Sequence, residues 1–262
     1  MKPDSAKNDS NEVMNLIILT EDDEIGEGRY RLTDHRAEHI RKILKLGFED
    51  HLQVGLLNGP HGRAFIQKID DSEVVLECER LWLEGHPIPE ITLVCALPRP
   101  QILRKVLFVS AMMGVHALHL IRANRVEKSF FESKLLEAEQ YRPHLIEGLS
   151  QGKRTQLPKV AVHDRFKVFF EDTWPTIERA GNGHLLKLLA DPDTDRGLHS
   201  YPTTDAYRIA IAVGPEGGWV PFELDLMHRA GFESFTLGKW MLRVEYAVTA
   251  ALSQLELLRL QA

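Results

Sequence analysis

Two hydrophobic rhythms divide the chain near residue 85. Before it, apolar residues come in short runs, Leu16 to Leu19, His51 to Leu57, Ala64 to Ile69 and Val74 to Leu81, each the length of a strand. Asn58-Gly59-Pro60 and Asp70-Asp71-Ser72 separate consecutive runs and predict hairpins. One helical segment, Asp34 to Leu46, interrupts them, with Ile40, Ile43 and Leu44 facing inward. The spacing predicts a small β-rich barrel over 13–84, after a polar tail at 1–12. Residues 85–90, with Pro87 and Pro89, are turn-forming and semi-rigid and predict a linker. From residue 91 to 262 strand and helix alternate: Ile91 to Ala96, Gln101 to Met113, Ala117 to Ile121, Ser133 to Ser150. That alternation predicts an α/β domain with a mostly parallel sheet.

The end of the chain repeats the alternation with glycine at each break. Tyr207 to Val213 is apolar enough for a buried strand and stops on Gly214-Pro215-Glu216-Gly217-Gly218. Pro221 suits a first helical turn, Phe222, Leu224, Leu226 and Met227 give Val220 to Ala230 an apolar side, and Gly231 ends it. Ser234 to Leu237 predicts the next strand, broken at Gly238, before a long amphipathic helix from Val244 to Leu260. A β-α-β crossover makes its strands parallel, so both glycine loops leave from the carboxyl edge of the sheet, where open α/β folds hold ligands. Ordinary strand-to-helix turns look the same singly. Two on one edge, the second carrying Arg243 and Glu245, favour a site for a flat ligand.

Composition narrows the classes. The chain has 262 residues, 44% hydrophobic and 27% charged, with no apolar run long enough to span a bilayer. The tail has neither an apolar core nor a basic leader, so it is not a secretory signal. Cys78 and Cys95 lie in strand-like runs, as reduced core thiols of a cytoplasmic protein do. Histidines at 35 and 39, and at 116 and 119, lack the acidic or thiol partners of a metal spacing, and no metal is expected. There is no Gly-x-Gly-x-x-Gly after a strand, no phosphate-loop lysine and no serine nucleophile elbow.

The net charge of −6 hides a basic patch. Arg29, Arg31, Arg36, Arg41, Lys42 and Lys45 face only Asp34 and Glu38, and further clusters recur at Arg99, Arg104 and Lys105, at Arg122, Arg125 and Lys128, and at Lys153 and Arg154. Such clusters on an acidic protein suit either a solvated helix face or a grip on a phosphate backbone.

These residues carry a family resemblance. Ile211-Ala212-Val213-Gly214-Pro215-Glu216-Gly217-Gly218, then Leu237-Gly238 and Met241-Leu242-Arg243-Val244-Glu245, resemble in order and separation the cofactor loops of the RsmE family of 16S rRNA uracil-N3 methyltransferases, members of the SPOUT class. Glu147 to Arg154 with Pro158, Ala96-Leu97-Pro98-Arg99-Pro100 with Met113-Gly114-Val115, and the basic stretch His39 to Lys45 with Gly47 extend the resemblance over nearly the whole chain.

The resemblance implies a PUA-like RNA-binding barrel, an α/β domain with a trefoil knot, a homodimer, and S-adenosylmethionine as cofactor with 16S rRNA of the small subunit as partner. It implies Ala190, Val213, Gly214, Pro215, Glu216, Gly218, Leu237, Gly238 and Leu242 around the cofactor, and together with the basic patch it favours RNA contacts from Arg29, Arg31, Arg36, Arg41, Lys45 and Arg154. Methylating uracil N3 requires its proton to leave and the anion to be stabilised. Arg243 is the candidate for that role; Glu245 is either a proton acceptor or a partner of the helix dipole. The family's Thr-Ala after the glutamate is Tyr246-Ala247 here, and a phenol in that place is bulky enough to crowd the cofactor. A SPOUT enzyme acting on another RNA position, and an assembly factor with an impaired site, remain alternatives.

Overall fold

The computed structural model describes residues 15–82, 89–202 and 208–260. The polar tail and most of the linker lie outside the described residues. The chain divides into two compact units, Met1–Gly85 with Leu149–Gln156, and His86–Gly148 with Leu157–Ala262. The first unit therefore recruits a segment from far along the chain.

In that unit six strands, β1 (Ile17–Leu19), β2 (Glu24–Gly26), β3 (Arg29–Leu32), β4 (His51–Leu56), β5 (His61–Ile69) and β6 (Val74–Trp82), form one sheet in the order β1-β4-β5-β6-β3-β2. Only the β1–β4 pair is parallel. Both expected hairpins form, joining β4 to β5 and β5 to β6. Inward residues such as Leu19, Leu32, Val54, Ile66 and Leu76 make a closed apolar core. The sheet is a half-barrel, since β1 and β2 at its edges are not paired to each other. β2 and β3 fall in a stretch with no apolar run. β3 alternates, with Arg29 and Arg31 out and Tyr30 and Leu32 in, but two inward residues are too few to announce a strand.

The expected helix at 34–46 is shorter and irregular. Asp34 caps α1 (His35–Glu38) by accepting from the Arg36 amide at 2.9 Å. His39–Ile43 then widens into a π turn, in which the Leu44 amide donates to the His39 carbonyl at 3.0 Å. The extra residue in the turn rotates the face. Ile40 stays fully buried, but Ile43, expected inward, is 68% exposed.

In the second unit six strands, β7 (Glu90–Ala96), β8 (Val115–Ile121), β9 (Lys159–His163), β10 (Leu185–Ala190), β11 (Arg208–Val213) and β12 (Glu233–Phe235), form an all-parallel sheet ordered β12-β10-β11-β7-β8-β9. The helices are α2 (Pro100–Met112), α3 (Ala138–Gly152), α4 (Phe166–Val168), α5 (Trp174–Ala180), α6 (Pro221–Arg229) and α7 (Val244–Leu260). β11 is central and buried at every position, as a strand covered on both faces must be. β10 was not expected as a strand. Its sequence, Leu-Leu-Lys-Leu-Leu-Ala, has no β-branched residue and reads equally well as helix. It lies between β11 and β12, so the crossover through α6 skips one strand while keeping both glycine loops on the carboxyl edge. Phe222, expected on the inner side of α6, is 52% exposed, whereas Leu226 and Met227 are buried. Cys95 is fully buried and its thiol is pushed up to about 12; both cysteines are free.

At the β8–β9 edge, His119 Nδ1 stands 3.0 Å from His163 Nε2, and Phe169 packs on both rings. One imidazole donates to the other, so the pair is stable only when not fully charged. Burial first, and then His163, hold His119 down to about 4; burial also lowers His163. Both folded values lie below the unfolded value of about 6.5, so this contribution to stability is present above pH 6.5 and is lost as pH falls toward 4. Acidification from pH 7 to 4 is expected to remove up to about 3 kcal/mol through His119. Denaturant titrations of the wild type and His119→Gln at both pH values check this; equal pH slopes would contradict it.

Candidate active site

Where β10, β11 and β12 end, their loops and the start of α7 enclose a cavity of about 350 Å³. Three strand ends meet there because the sheet is parallel and its carboxyl edge gathers every strand-to-helix loop. All nine residues expected around a cofactor line it: Ala190, Val213, Gly214, Pro215, Glu216, Gly218, Leu237, Gly238 and Leu242. Gly218 and Gly238 have φ of +73° and +122°, conformations that side chains resist. A Cβ on Gly214 would stand 3.0 Å from the Trp219 indole nitrogen, and one on Gly217 3.0 Å from Arg125 Cδ.

The glycine loop is tied in place by ion pairs and hydrogen bonds. Glu216 pairs with Arg99 at 2.6 Å, and Arg125 donates to the Gly217 carbonyl. The buried Glu223 carboxylate accepts from the Val220 amide at 3.0 Å and from the Asn124 amide at 2.6 Å, joining the loop after β8 to the start of α6. Asp191 accepts from the Ser234 hydroxyl and the Asp193 amide. Trp219, a wall residue 9% exposed, keeps a buried indole N–H without a partner among the described residues. Arg99, Arg125, Trp219 and Glu223 were not expected at the site. The long-range partners of Arg99, Arg125 and Glu223 lie up to 117 residues away along the chain, and no local spacing signals such tethers.

The two catalytic candidates stand outside the wall. Arg243 is exposed just before α7, its carbonyl accepting from the Ala247 amide at 2.8 Å. Glu245 is 3% exposed and faces Lys105 of α2 at 3.2 Å, its second oxygen without a partner among the described residues. Tyr246 is 55% exposed and does not line the cavity; Ala247 does, so the phenol leaves the space free.

The RNA candidates belong to the first unit. Arg29 and Lys45 are exposed, and Arg31 is exposed but paired with Glu73 at 3.1 Å. Arg36 was expected on an outer face but is drawn in, donating to both Asp23 oxygens at 2.6 and 2.8 Å and to the Ile18 carbonyl at 2.7 Å. Arg41 donates to the Asp70 carbonyl, and Arg154 is half-buried. Arg36 is thereby a structural tie between β1 and α1.

Residues 84–256 match the RNA methyltransferase domain model. The chain belongs to the RNA methyltransferase family. Within it, the chain is 30% identical over 237 residues to ribosomal RNA small subunit methyltransferase E of Treponema pallidum, covering 90% of this chain and 88% of that one. It is 27% identical to ribosomal RNA small subunit methyltransferase E 1 of Borreliella burgdorferi over 91% of this chain and 95% of that one. These matches place it in the RsmE family of rRNA small subunit methyltransferases. The same fold occurs in the ribosomal RNA small subunit methyltransferase E of Neisseria gonorrhoeae, solved with S-adenosyl methionine, at a TM-score of 0.74 and 20% identity over 94% of this chain and 98% of that one.

Proposed function

We propose that this family member transfers a methyl group from S-adenosylmethionine to N3 of a uracil in 16S rRNA of the small ribosomal subunit, in the cytoplasm. The observation that carries the reading is the meeting of all nine expected cofactor residues on one cavity in a chain of this family. The cavity suits that ligand chemically. Glycines leave backbone free on one side, Val213, Leu237 and Leu242 give apolar walls, the Asp193 carboxylate suits a cationic ligand, and the orphan Trp219 N–H awaits an acceptor. When bound, S-adenosylmethionine supplies an electrophilic methyl group on sulfur.

In this reading Ala190, Val213, Gly214, Pro215, Glu216, Gly218, Leu237, Gly238 and Leu242 hold the cofactor, largely through backbone and apolar contact. Arg243, exposed beside Leu242, clamps an RNA phosphate and adds positive field at the site. Glu245, turned toward Lys105 in the first turn of α7, serves the helix rather than the proton. The half-barrel is the PUA-like RNA-binding domain, with Arg29, Arg31 and Lys45 as its exposed cations and Arg41 and Arg154 at their margin. The knot is supported by the crossing strand order of the parallel sheet. A homodimer is supported by Trp240, Met241 and Tyr246, which are 84%, 80% and 55% exposed around the start of α7.

Calorimetry is expected to show one S-adenosylmethionine per chain, and nucleoside mass spectrometry to show 3-methyluridine in small-subunit RNA lost on gene deletion and restored by the purified protein. No binding at millimolar cofactor, or a different modified nucleoside, would overturn the reading.

A further inference from the structure

We infer that Arg125 is the catalytic cation that holds the target uracil as its N3 anion, an inference that rests on the methyl-transfer reading above. Among the described residues Arg125 is the single cationic side chain lining the cavity. The other cations nearby are engaged or outside the wall: Arg99 is held by Glu216 at 2.6 Å, Lys105 by Glu245 at 3.2 Å, and Arg243 does not reach the lining.

Arg125 is also prepared for the role. Its turn after β8 is anchored by the Asn124 amide on Glu223 and by the Val126 amide on the Ala123 carbonyl at 3.1 Å. Its side chain lies across the glycine loop so closely that a Cβ on Gly217 would meet it, and Nη1 donates to the Gly217 carbonyl. One N–H of the guanidinium is thus spent on fixing its plane. The remaining donors have no other partner among the described residues and are exposed to whatever enters the cavity mouth.

A guanidinium is the wrong sign for a sulfonium, which the Asp193 carboxylate suits better. It is the right sign for a uracil losing its N3 proton, because the charge spreads onto the two carbonyl oxygens beside N3 and a planar fork of donors can meet an oxygen with N3 together. The N3 proton leaves to water, the N3 electron pair forms the new N–C bond, and the C–S electron pair stays on sulfur as a neutral thioether. A cation fixed before the base arrives stabilises that anion without reorganising.

The test is single-turnover methylation of small subunits from a strain lacking this protein, at saturating cofactor from pH 6 to 9, with cofactor affinity measured in parallel by calorimetry. Arg125→Ala is expected to slow transfer about 100-fold at pH 7, the size of losing one preorganised donor to a developing anion. The loss should shrink as pH rises and solvent ionises the base unaided, while cofactor affinity changes less than about threefold. Arg125→Lys, which keeps charge but not the fork, should fall between. An unchanged rate in Arg125→Ala overturns the inference. So does a loss that is equal at every pH and matched by weaker cofactor binding, which would make Arg125 a holder of the glycine loop. A wild-type protein that transfers no methyl group fails at the earlier step, the methyl-transfer reading itself.

Discussion

Gly214→Val is expected to reduce S-adenosylmethionine affinity about 100-fold, roughly 2.7 kcal/mol, while leaving the protein folded. Gly214 is the first residue beyond β11, and its backbone forms part of the cavity wall. A Cβ there would lie 3.0, 3.1 and 3.3 Å from three atoms of the Trp219 indole. That ring cannot retreat easily, because it is 9% exposed and packs against Phe166 at 5.9 Å. A branched side chain must therefore push into the cavity or tilt the indole, and either removes room and misplaces the orphan N–H. The site is at a loop, so the fold itself is expected to lose only about 1 kcal/mol, at the lower end of overpacking costs. Calorimetry for the cofactor and a thermal melt for stability separate the two effects. Undiminished affinity would remove Gly214 from the cofactor site, and with it the strongest member of the glycine cradle.

That loop was also the most legible part of the site, and the reason is local. Glycine is chosen where backbone must come close or take a positive φ, so Gly214, Gly218 and Gly238 advertise their places without reference to anything distant. The parallel crossover then told which edge they share. What holds the loop was not legible. Arg125 and Gly217 are 92 residues apart and Asn124 and Glu223 are 99 apart, and neither pair has a period or spacing to reveal it. Arg243 and Glu245 show the reverse case. Their motif placed them beside the wall, but the direction of each side chain depends on the phase of α7, which turns Val244 and Ala247 inward and Glu245 toward α2. The fold shows the same division. Long alternating segments such as β7, α2 and α7 follow from their rhythm, whereas β10 lacks β-branched residues, β3 has too few inward positions, and the π turn after α1 breaks the phase on which Ile43 was placed. Arg36 adds a chemical case: a cation in a basic cluster is free to bind RNA only if no carboxylate claims it first, and Asp23 does.

Gly148→Ala is expected to destabilise the second unit by about 3 kcal/mol, against the usual sign for such a change. In an ordinary helix interior, alanine is favoured over glycine by roughly 1 kcal/mol because it restricts the unfolded chain and exposes less backbone. Gly148 sits in α3 where that helix crosses α2, and a Cβ would stand 2.2 Å from the Phe108 carbonyl oxygen and 3.0 Å from Ala111 Cβ. A carbonyl within a helix has no rotamer to change, so the two helices must separate at a close-packed contact. Thermal denaturation is expected to show a drop of roughly 6–12 °C for a unit of this size. The consequence reaches the site. α2 follows directly on Arg99, which holds Glu216 of the glycine loop, and carries Lys105, which holds Glu245 of α7. Displacing α2 should therefore weaken cofactor binding at temperatures where the variant is still folded. A variant as stable as the wild type would show that α2 and α3 can part at no cost, and that the small residue at 148 is not what sets their distance.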